Sequence, residues 1–572
     1  MPMDLNRLYP IVRPRPCPRG HARRGVAKFT TFASILRHPV GGPVDQGTRA
    51  PGVHEKLGIH SILLHEARVL ASFPNTGSSA MTVSRALTFS LLIATSTAAL
   101  SQTDDPLKAA AQKAIQTNPE VTARFNAFRA ASNEVDVARG AYYPRVDLNA
   151  DVGRSRDSID TRNPKDQSLS RTGVGVSLTQ LLWDGQLTQS EVSRFGHARS
   201  SRYFEFIEAT EQTALEASRA YYDVLRFRRL VLLAEDNYVQ HKVSHDQIQN
   251  RFKAGVGRGV DVEQAAARLA LAETNLSTET ANLHDVVARY QRVVGEAPPA
   301  QLTLGAGLTQ GMPASASEVQ TQATLRNAGI SAAVENLRAL RSQSEGQRSA
   351  FQPRVEARAR GSEGHNLNGL QDQRREAAAE VVLSWNLFNG GSDQARVRQF
   401  ADLVTQAADL RDRTCRDARQ TASIAFNDTL KLVEQLRYLE RNVVAIERAR
   451  DAYRQQFEIG QRSLLDLLNA ENEVYTARRA YANAEHELRI AYVRTHAATN
   501  TLTAALGLSR IDTGALPDDN WNAGDDAAAR CPITAAPLAT TSREELDARA
   551  KALSEARPGV TPTPATKAPV AR

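Results

Sequence analysis

The chain repeats itself once, and that duplication limits the possible folds more than any other feature of the sequence. Pro144-Arg145-Val146 recurs as Pro353-Arg354-Val355, 209 residues later. Beyond that point the spacing settles at 205. Leu178 matches Leu383, Trp183-Asp184-Gly185 matches Phe388-Asn389-Gly390, and Ala220-Tyr221 matches Ala425-Phe426. Phe252, Gly255 and Asp261 match Phe457, Gly460 and Asp466. The change in spacing falls in the polar stretch 153–172, where a difference in loop length is cheap. One doubled unit accounts for 572 residues better than three or four unrelated domains.

Both units have the same internal order. A helix comes first, over 118–139 and 331–349. An alternating run follows: Val146, Leu148, Ala150 and Val152 interleave with Asp147, Asn149 and Asp151, and Val355, Ala357 and Ala359 with Glu356, Arg358 and Arg360. After a polar loop (154–171; 361–375) a second run alternates. It is carried by Val174, Val176 and Leu178 in the first unit and by Ala379, Val381, Leu383, Trp385 and Leu387 in the second. A period of two means strands with one apolar and one polar face. Each run is about 8–12 residues, the length of a tilted transmembrane strand. Trp183, Trp385 and Phe388 stand at run ends, where an aromatic girdle would lie. A soluble hairpin with one face on a core has the same pattern, so the runs alone leave both open.

Long helices fill the rest of each unit. From 190 to 253 there is no proline and one glycine, and from 394 to 459 there is neither. Sixty-odd residues make a rod of roughly 100 Å. Leu432, Leu436, Leu439, Val443 and Ile446 step by four and three, an a/d seam. The helices reverse at Gly255, Gly257 and Gly259, and again at Gly460, Arg462 and Ser463. The first reversal superficially resembles a phosphate loop. It follows a helix rather than a strand and lacks Gly-Lys-Ser/Thr, so it reads as a turn.

Composition bears mainly on the ends. Residues 1–80 carry 11 Lys+Arg against four Asp+Glu, which is seven of the chain's net charge of +8. The basic excess therefore belongs to this extension, and the pI near 9.4 is poor support for a nucleic-acid partner. Met81, Arg85, the apolar run 86–94 and the small residues to Ser101 form a secretory signal over 81–101. That places 1–80 as a mis-annotated or disordered extension. No cysteine lies near the cleavage site, which argues against a lipid anchor. Three cysteines exclude a disulfide-built scaffold; Cys415 and Cys531 could pair or remain thiols. A mean hydropathy of −0.40 excludes a multi-helix membrane transporter. Residues 509–572, rich in Pro, Thr, Ala and acids, read as a flexible tail.

A signal, a doubled helix–strand–loop–strand–helix-pair unit and Gly-marked reversals together resemble the TolC-like outer-membrane efflux protein family. The carrying residues are Tyr143-Pro144-Arg145-Val146 with Gln352-Pro353-Arg354-Val355, and Leu182-Trp183-Asp184-Gly185 with Leu387-Phe388-Asn389-Gly390. At the reversals they are Phe252, Gly255 and Asp261, with Phe457, Gly460 and Leu464 to Leu468. The resemblance spans about 107–508, as repeats 102–320 and 321–508. It implies a mainly α protein with a membrane β-barrel. Three copies would close a twelve-stranded outer-membrane barrel continued by a periplasmic α-helical coiled-coil tube. The implied partners are two further copies of the chain, outer-membrane lipid, a periplasmic adaptor and an inner-membrane transporter of ABC or RND type. No nucleic acid or cofactor is implied. The implied cargo route is type I protein secretion first and small-molecule efflux second.

The resemblance also places an electrostatic site rather than a catalytic one. Asp466 stands at the periplasmic entrance ring. Asn469, three residues on and on the same helix face, stands where some members carry a second acid, so the ring would hold three charges rather than six. Arg462 matches a gating arginine and Asp261 the acid it can bridge; Phe457 lacks the hydroxyl of the tyrosine found there in other members. Gly255, Gly257, Gly460 and Ser463 mark tips that would meet the adaptor. The plainer alternative is that Asp466 and Asp261 only cap the helices that follow. No HExxH, nucleophile elbow or phosphate loop supports an enzyme. His241 and His245, spaced i, i+4, could form a metal pair but read more simply as a solvated helix face. A periplasmic coiled-coil scaffold would explain the helical hairpins and leave the strand pairs unexplained.

Overall fold

The computed structural model describes residues 105–305, 307–366, 371–511, 521–524 and 541–555. The extension 1–80, the signal segment and Cys531 lie outside the described residues. In chain order the elements are α1 (Pro106–Thr117), α2 (Pro119–Gly140), β1 (Arg145–Ser158), β2 (Asp166–Trp183), α3 (Leu187–Lys253) and α4 (Gly259–Val294). The second half follows as α5 (Ala316–Arg326), α6 (Ala328–Gly346), a 3-10 turn (Gln347–Phe351), β3 (Arg354–His365), β4 (Gln373–Ser384), α7 (Ser392–Glu458) and α8 (Leu464–Ala498). Two short helices, α9 (Leu502–Ala505) and α10 (Arg543–Glu555), complete the chain.

Local chemistry sets the joints. Asn118 and Asn327 cap α2 and α6 by accepting from the amides of Glu120 and Ile330, which satisfies donors the first helical turn leaves open. At the strand-to-helix turns Gly185, Gly390 and Gly391 adopt positive φ, which a side chain resists. The carboxylate of Asp184 accepts from both the amide and the hydroxyl of Thr188, and Asn389 accepts from the Asp393 amide in the same place. The repeated Asp-Gly and Asn-Gly pairs are thus a stop for the strand and a start for the helix.

α3 and α7 are each 67 residues, about 100 Å of helix. Near the sheet the packing runs α2 on α3, α3 on α6 and α6 on α7. Beyond the middle it runs α4 on α3, α3 on α8 and α8 on α7. The main core lies between these halves, where α1 (Ala111, Ile115), α3 (Ala214 to Val224), α4 (Val286, Tyr290, Val293), α8 (Ile490, Val493) and α9 (Leu502) meet. The Tyr221 hydroxyl donates to the carbonyl of Thr303 at 2.6 Å, tying the link between the repeats to this core. On α7 the five seam residues Leu432 to Ile446 are half-buried, the innermost positions of that stretch.

The four strands form one antiparallel sheet in the order β1-β2-β3-β4. Opposed pairs such as Leu148↔Val176, Leu178↔Ala359 and Ala357↔Val381 put the apolar residues of all four strands on one face. That face is uncovered: Leu148 is 71 % and Val152 84 % exposed. A soluble hairpin would bury it. The band from Trp183 and Val355 to Glu363 and Arg375 is nine residues of β3, roughly 20 Å high once strand tilt is allowed for. The opposite face carries paired charges: Arg171–Asp151, Arg358–Glu356, Arg360–Glu380 and Arg374–Glu376.

The strands differ from the sequence expectation at both ends. They run on through 154–158, 166–171, 361–365 and 373–375, which were expected as loop, because the backbone ladder continues where the apolar alternation has ended. β4 closes at Ser384, so Trp385 and Phe388 lie just beyond it, exposed, while Trp183 ends β2 beside a bulge. The tail is not flexible throughout. Residues 543–555 form α10, and Trp521 packs on Phe204 at 4.5 Å while its indole donates to Glu335 at 2.8 Å. Cys415 beneath it is disulfide-bonded. No described helix is long and apolar enough to cross a membrane.

Candidate functional site at the helix-hairpin tips

Gly255 (φ +78°) and Gly460 (φ +77°) turn the two long helices back on themselves. Gly257 sits where an added Cβ would lie 2.7 Å from the Phe252 amide nitrogen, so the first turn needs a bare backbone. The two tips share a small apolar layer: Ile248 of α3, Leu464 and Leu468 of α8, with Val262 and Phe457 packed on it. The fold places Phe457, Asp466, Asn469, Arg462 and Asp261 at or beside these two turns.

Their contacts are specific. Ser463 caps α8, accepting from the Asp466 amide while its hydroxyl donates to the Asp466 carboxylate at 2.8 Å. Asp466 is therefore tied to the cap of its own helix through the Ser463 hydroxyl, the plainer alternative raised by the sequence, while 41 % of its side chain stays in solvent. Arg462 donates to Gln456 at 3.0 Å, lies over the Tyr453 ring at 4.6 Å and stands 3.8 Å from Asp466. Tyr453 thus supplies an aromatic partner one turn from Phe457, which instead lies under Arg251. Within the single chain Arg462 turns to these groups rather than to Asp261, which opens the first turn of α4. Asn469 accepts from Arg268 of α4 at 2.7 Å, joining the two hairpins. The sequence reading missed Arg268.

A second polar layer lies behind the tips. Glu471, 6 % exposed, accepts from Arg450 at 3.0 Å and from Arg454, and Arg454 also donates to Gln240 of α3 at 3.0 Å. His241, expected on a solvated face, is 2 % exposed, and its Nδ1 has no hydrogen-bond partner. Burial holds its pKa below the usual imidazole value, against the pull of Glu471 and with the push of Arg268. No group of three or more described His, Cys, Asp or Glu residues could hold a metal ion. The arrangement can screen ions and tie helices together.

The family model described as "Outer membrane efflux protein" matches residues 110–296 and 319–507, one stretch in each repeat. The chain belongs to this family. Its proteins are channels of the Gram-negative outer membrane that reach into the periplasm, not enzymes. The outer membrane efflux protein BepC of Brucella suis is 27 % identical over 450 residues, 78 % of this chain and 95 % of BepC. The alkaline protease secretion protein AprF of Pseudomonas aeruginosa is 24 % identical over 462 residues, 77 % of this chain and 93 % of AprF. Among solved structures, the outer-membrane channel OprN matches with a TM-score of 0.63 at 20 % identity, over 70 % of this chain and 91 % of that one, a likeness of fold.

Proposed function

We propose that three copies of the chain close a twelve-stranded barrel and a helical tube, forming an exit duct across periplasm and outer membrane. The observation that carries this is the exposed apolar sheet face, bounded by β1 and β4, each with one unpaired edge among the described strands. Water penalises both the apolar face and the edges, and lipid with neighbouring copies removes both penalties. The paired charges of the other face then line a wet lumen, and a periplasmic scaffold would have no use for such a sheet.

Three copies of Asp466 would give the entrance an acidic ring. Arg268, drawn to Asn469, adds positive charge nearby, so divalent-cation block is weak. Arg462 and Asp261 are offered as gate groups acting between neighbouring copies. The tips around Gly255, Gly257, Gly460 and Ser463 dock a periplasmic adaptor joined to an inner-membrane transporter. An ABC transporter and protein cargo, type I secretion, is the favoured system, supported by likeness to a protein named for alkaline protease secretion; small-molecule efflux is second.

Planar-bilayer recording of protein purified from outer membranes tests this reading. Small, discrete, cation-preferring steps that lose selectivity in Asp466→Asn are expected. Folded protein that produces no steps would leave the scaffold reading standing instead.

A further inference from the structure

We propose that arginines on the outward face of the sheet, just beyond its apolar band, bind lipid headgroups that carry phosphate monoesters, at the seams where two copies of the chain meet. The inference rests on the channel reading above, in which the β1–β2 and β3–β4 turns point away from the periplasmic helices and so lie outside the cell. Period two carries the lipid-facing side of each strand on past its last apolar residue. On β1 that side continues from Val152 to Arg154 and Arg156, two and four residues on, about 7 and 13 Å along the strand. On β4 it continues from Ala379 and Ala377 to Arg375, which stands opposite Glu363 of β3.

The two edges of the band differ. At the edge nearer the helices the same face carries Val146, Val355 and Leu383, and no charge among the described strand residues. The arginines therefore stand at one level only, that of the headgroups of the outer leaflet. Their partners are weak. Arg154 donates to the Ser168 hydroxyl at 3.0 Å and meets no carboxylate among the described residues. The Arg156 side chain is 77 % exposed and 4.0 Å from Asp166, and that of Arg375 is 75 % exposed and 3.0 Å from Glu363. Exposed pairs of this kind contribute little, whereas a guanidinium and a phosphate form two parallel, charge-assisted hydrogen bonds. β1 and β4 are the edges of the sheet, so in the trimer β4 of one copy lies beside β1 of the next. Keeping their apolar bands level brings Arg375 of one copy alongside Arg154 and Arg156 of the other. Three guanidiniums then face two carboxylates, Asp166 and Glu363, at each seam. A phosphorylated lipid meets both needs of that surface: its phosphate answers the excess charge, and its acyl chains cover the apolar residues beneath. Free phosphate answers only the first.

The test reconstitutes the full chain, purified from outer membranes, in phosphatidylcholine vesicles. One set is plain, one contains bisphosphorylated lipid A, one contains the same lipid A stripped of phosphate, and one is plain with inorganic phosphate added. The temperature at which the oligomer dissociates is read in each. Bisphosphorylated lipid A should raise it by roughly 5 °C, and the other two additions by less than half as much. The double variant Arg154→Gln/Arg156→Gln should lose most of that shift and Arg375→Gln part of it. Arg139→Gln, which removes an exposed arginine from α2, should keep it whole. An equal shift from the stripped lipid would mean that acyl chains act alone, and an equal shift from inorganic phosphate that the arginines hold a soluble anion. Either result overturns the proposal, as does a full shift in the double variant. Should the double variant fail to insert, Arg375→Gln decides alone, and an undiminished shift in it overturns the proposal. A parent chain that forms no oligomer in any vesicle defeats the channel reading; one that assembles and ignores the phosphates defeats only the lipid site.

Discussion

The two long helices began as one design and now differ in what surrounds them. α3 and α7 have the same length, 67 residues, so both span the same distance. α3 is buried from Ser201 to Ile248, because α2, α4, α6 and α8 all pack on it. α7 is buried only from Ala407 to Thr429, and Leu430, Val433, Tyr438 and Val444 beyond it face solvent. Equal length with unequal burial separates two constraints: the span both repeats must cover, and the neighbours that only one of them finds within its own chain. In the proposed trimer the missing neighbour of α7 is another copy.

The largest expected effect breaks this comparison directly. Phe206 of α3 is fully buried against Val121, Ile207 and Ala328, and Phe206→Ala should cost about 3–5 kcal/mol. Leu430, the counterpart of half-buried Leu225 one repeat earlier, is exposed on α7. Leu430→Ala should leave the fold of each copy intact and lower the temperature at which the oligomer dissociates. Denaturation followed by circular dichroism, with dissociation followed on native gels, checks both. Equal effects in both assays would mean that α7 has no neighbour.

Much of this was legible in the sequence, and the remainder has physical reasons. The repeat, the strand alternation and the glycine reversals could be read because period two, helical spacing and positive φ each leave a local mark. The ends of the strands could not: from Arg154 outward the ladder has left the apolar band, and residues such as Ser168, Ser170 and Arg156 carry no alternation while the backbone still pairs. The Glu471 layer could not be read either. Gln240, His241, Arg450 and Glu471 are polar residues on polar helices, and only the placement of α8 between α3 and α7 takes them out of water. Asn469 was read as a missing charge; the structure shows the amide in use, with Arg268 on it. Trp521, the sole aromatic of its stretch, was the available sign that the tail docks.

Acid should act on the same α3–α8 seam. His241 of α3 and His486 and His496 of α8 are all buried, and burial lowers each pKa. The unfolded chain holds these protons near pH 6.5 and the folded chain does not, so stability is full above about 6.5 and falls as pH drops toward the lowered values. Each histidine costs up to about 1.4 kcal/mol per pH unit in that window. Glu211 and Asp223 act with the opposite sign. Burial raises their pKa, so lowering the pH through those raised values restores some stability. Melting temperature measured from pH 8 to 5 sums both, and the histidine part is isolated by His241→Gln, which should lose less stability than the parent chain over that range; an unchanged difference would place the histidine loss on α8 alone.

The C-terminal segment sharpens the contrast on the sheet side, where it braces α3 against α6. Trp521 packs at a tilt against Phe204, donates to Glu335 and lies on Ile330 and Val334, while Arg338 holds the carbonyls of Asn522 and Ala523. Glu335 also meets His197 of α3 at 2.8 Å, and these hydrogen bonds keep its carboxyl pKa low despite burial, which pulls the other way. Trp521→Ala should destabilise by about 1–3 kcal/mol, below the full cost of a buried aromatic because the indole is half-exposed. Chemical denaturation would show it as a lower midpoint at unchanged slope. No shift would mean that the brace contributes nothing beyond α6 itself.

The smallest effect separates the two turns. At Gly460 the positive φ is the only obstacle to a side chain, since nothing lies within 4 Å of an added Cβ. Gly460→Ala should therefore cost about 1 kcal/mol, the ordinary penalty of the left-handed region. At Gly257 the obstacle is steric: the Cβ would meet the backbone of Arg251 and Phe252, which cannot rotate away as a side chain would. Gly257→Ala must shift the turn and with it the exposed Val256 and Val260 at the tip. If adaptor docking uses both tips, Gly257→Ala should weaken adaptor binding while Gly460→Ala, whose turn keeps its shape, should not. Equal losses in a binding titration would show that the docking surface responds to flexibility at either turn, and that the bare backbone at Gly257 serves packing alone.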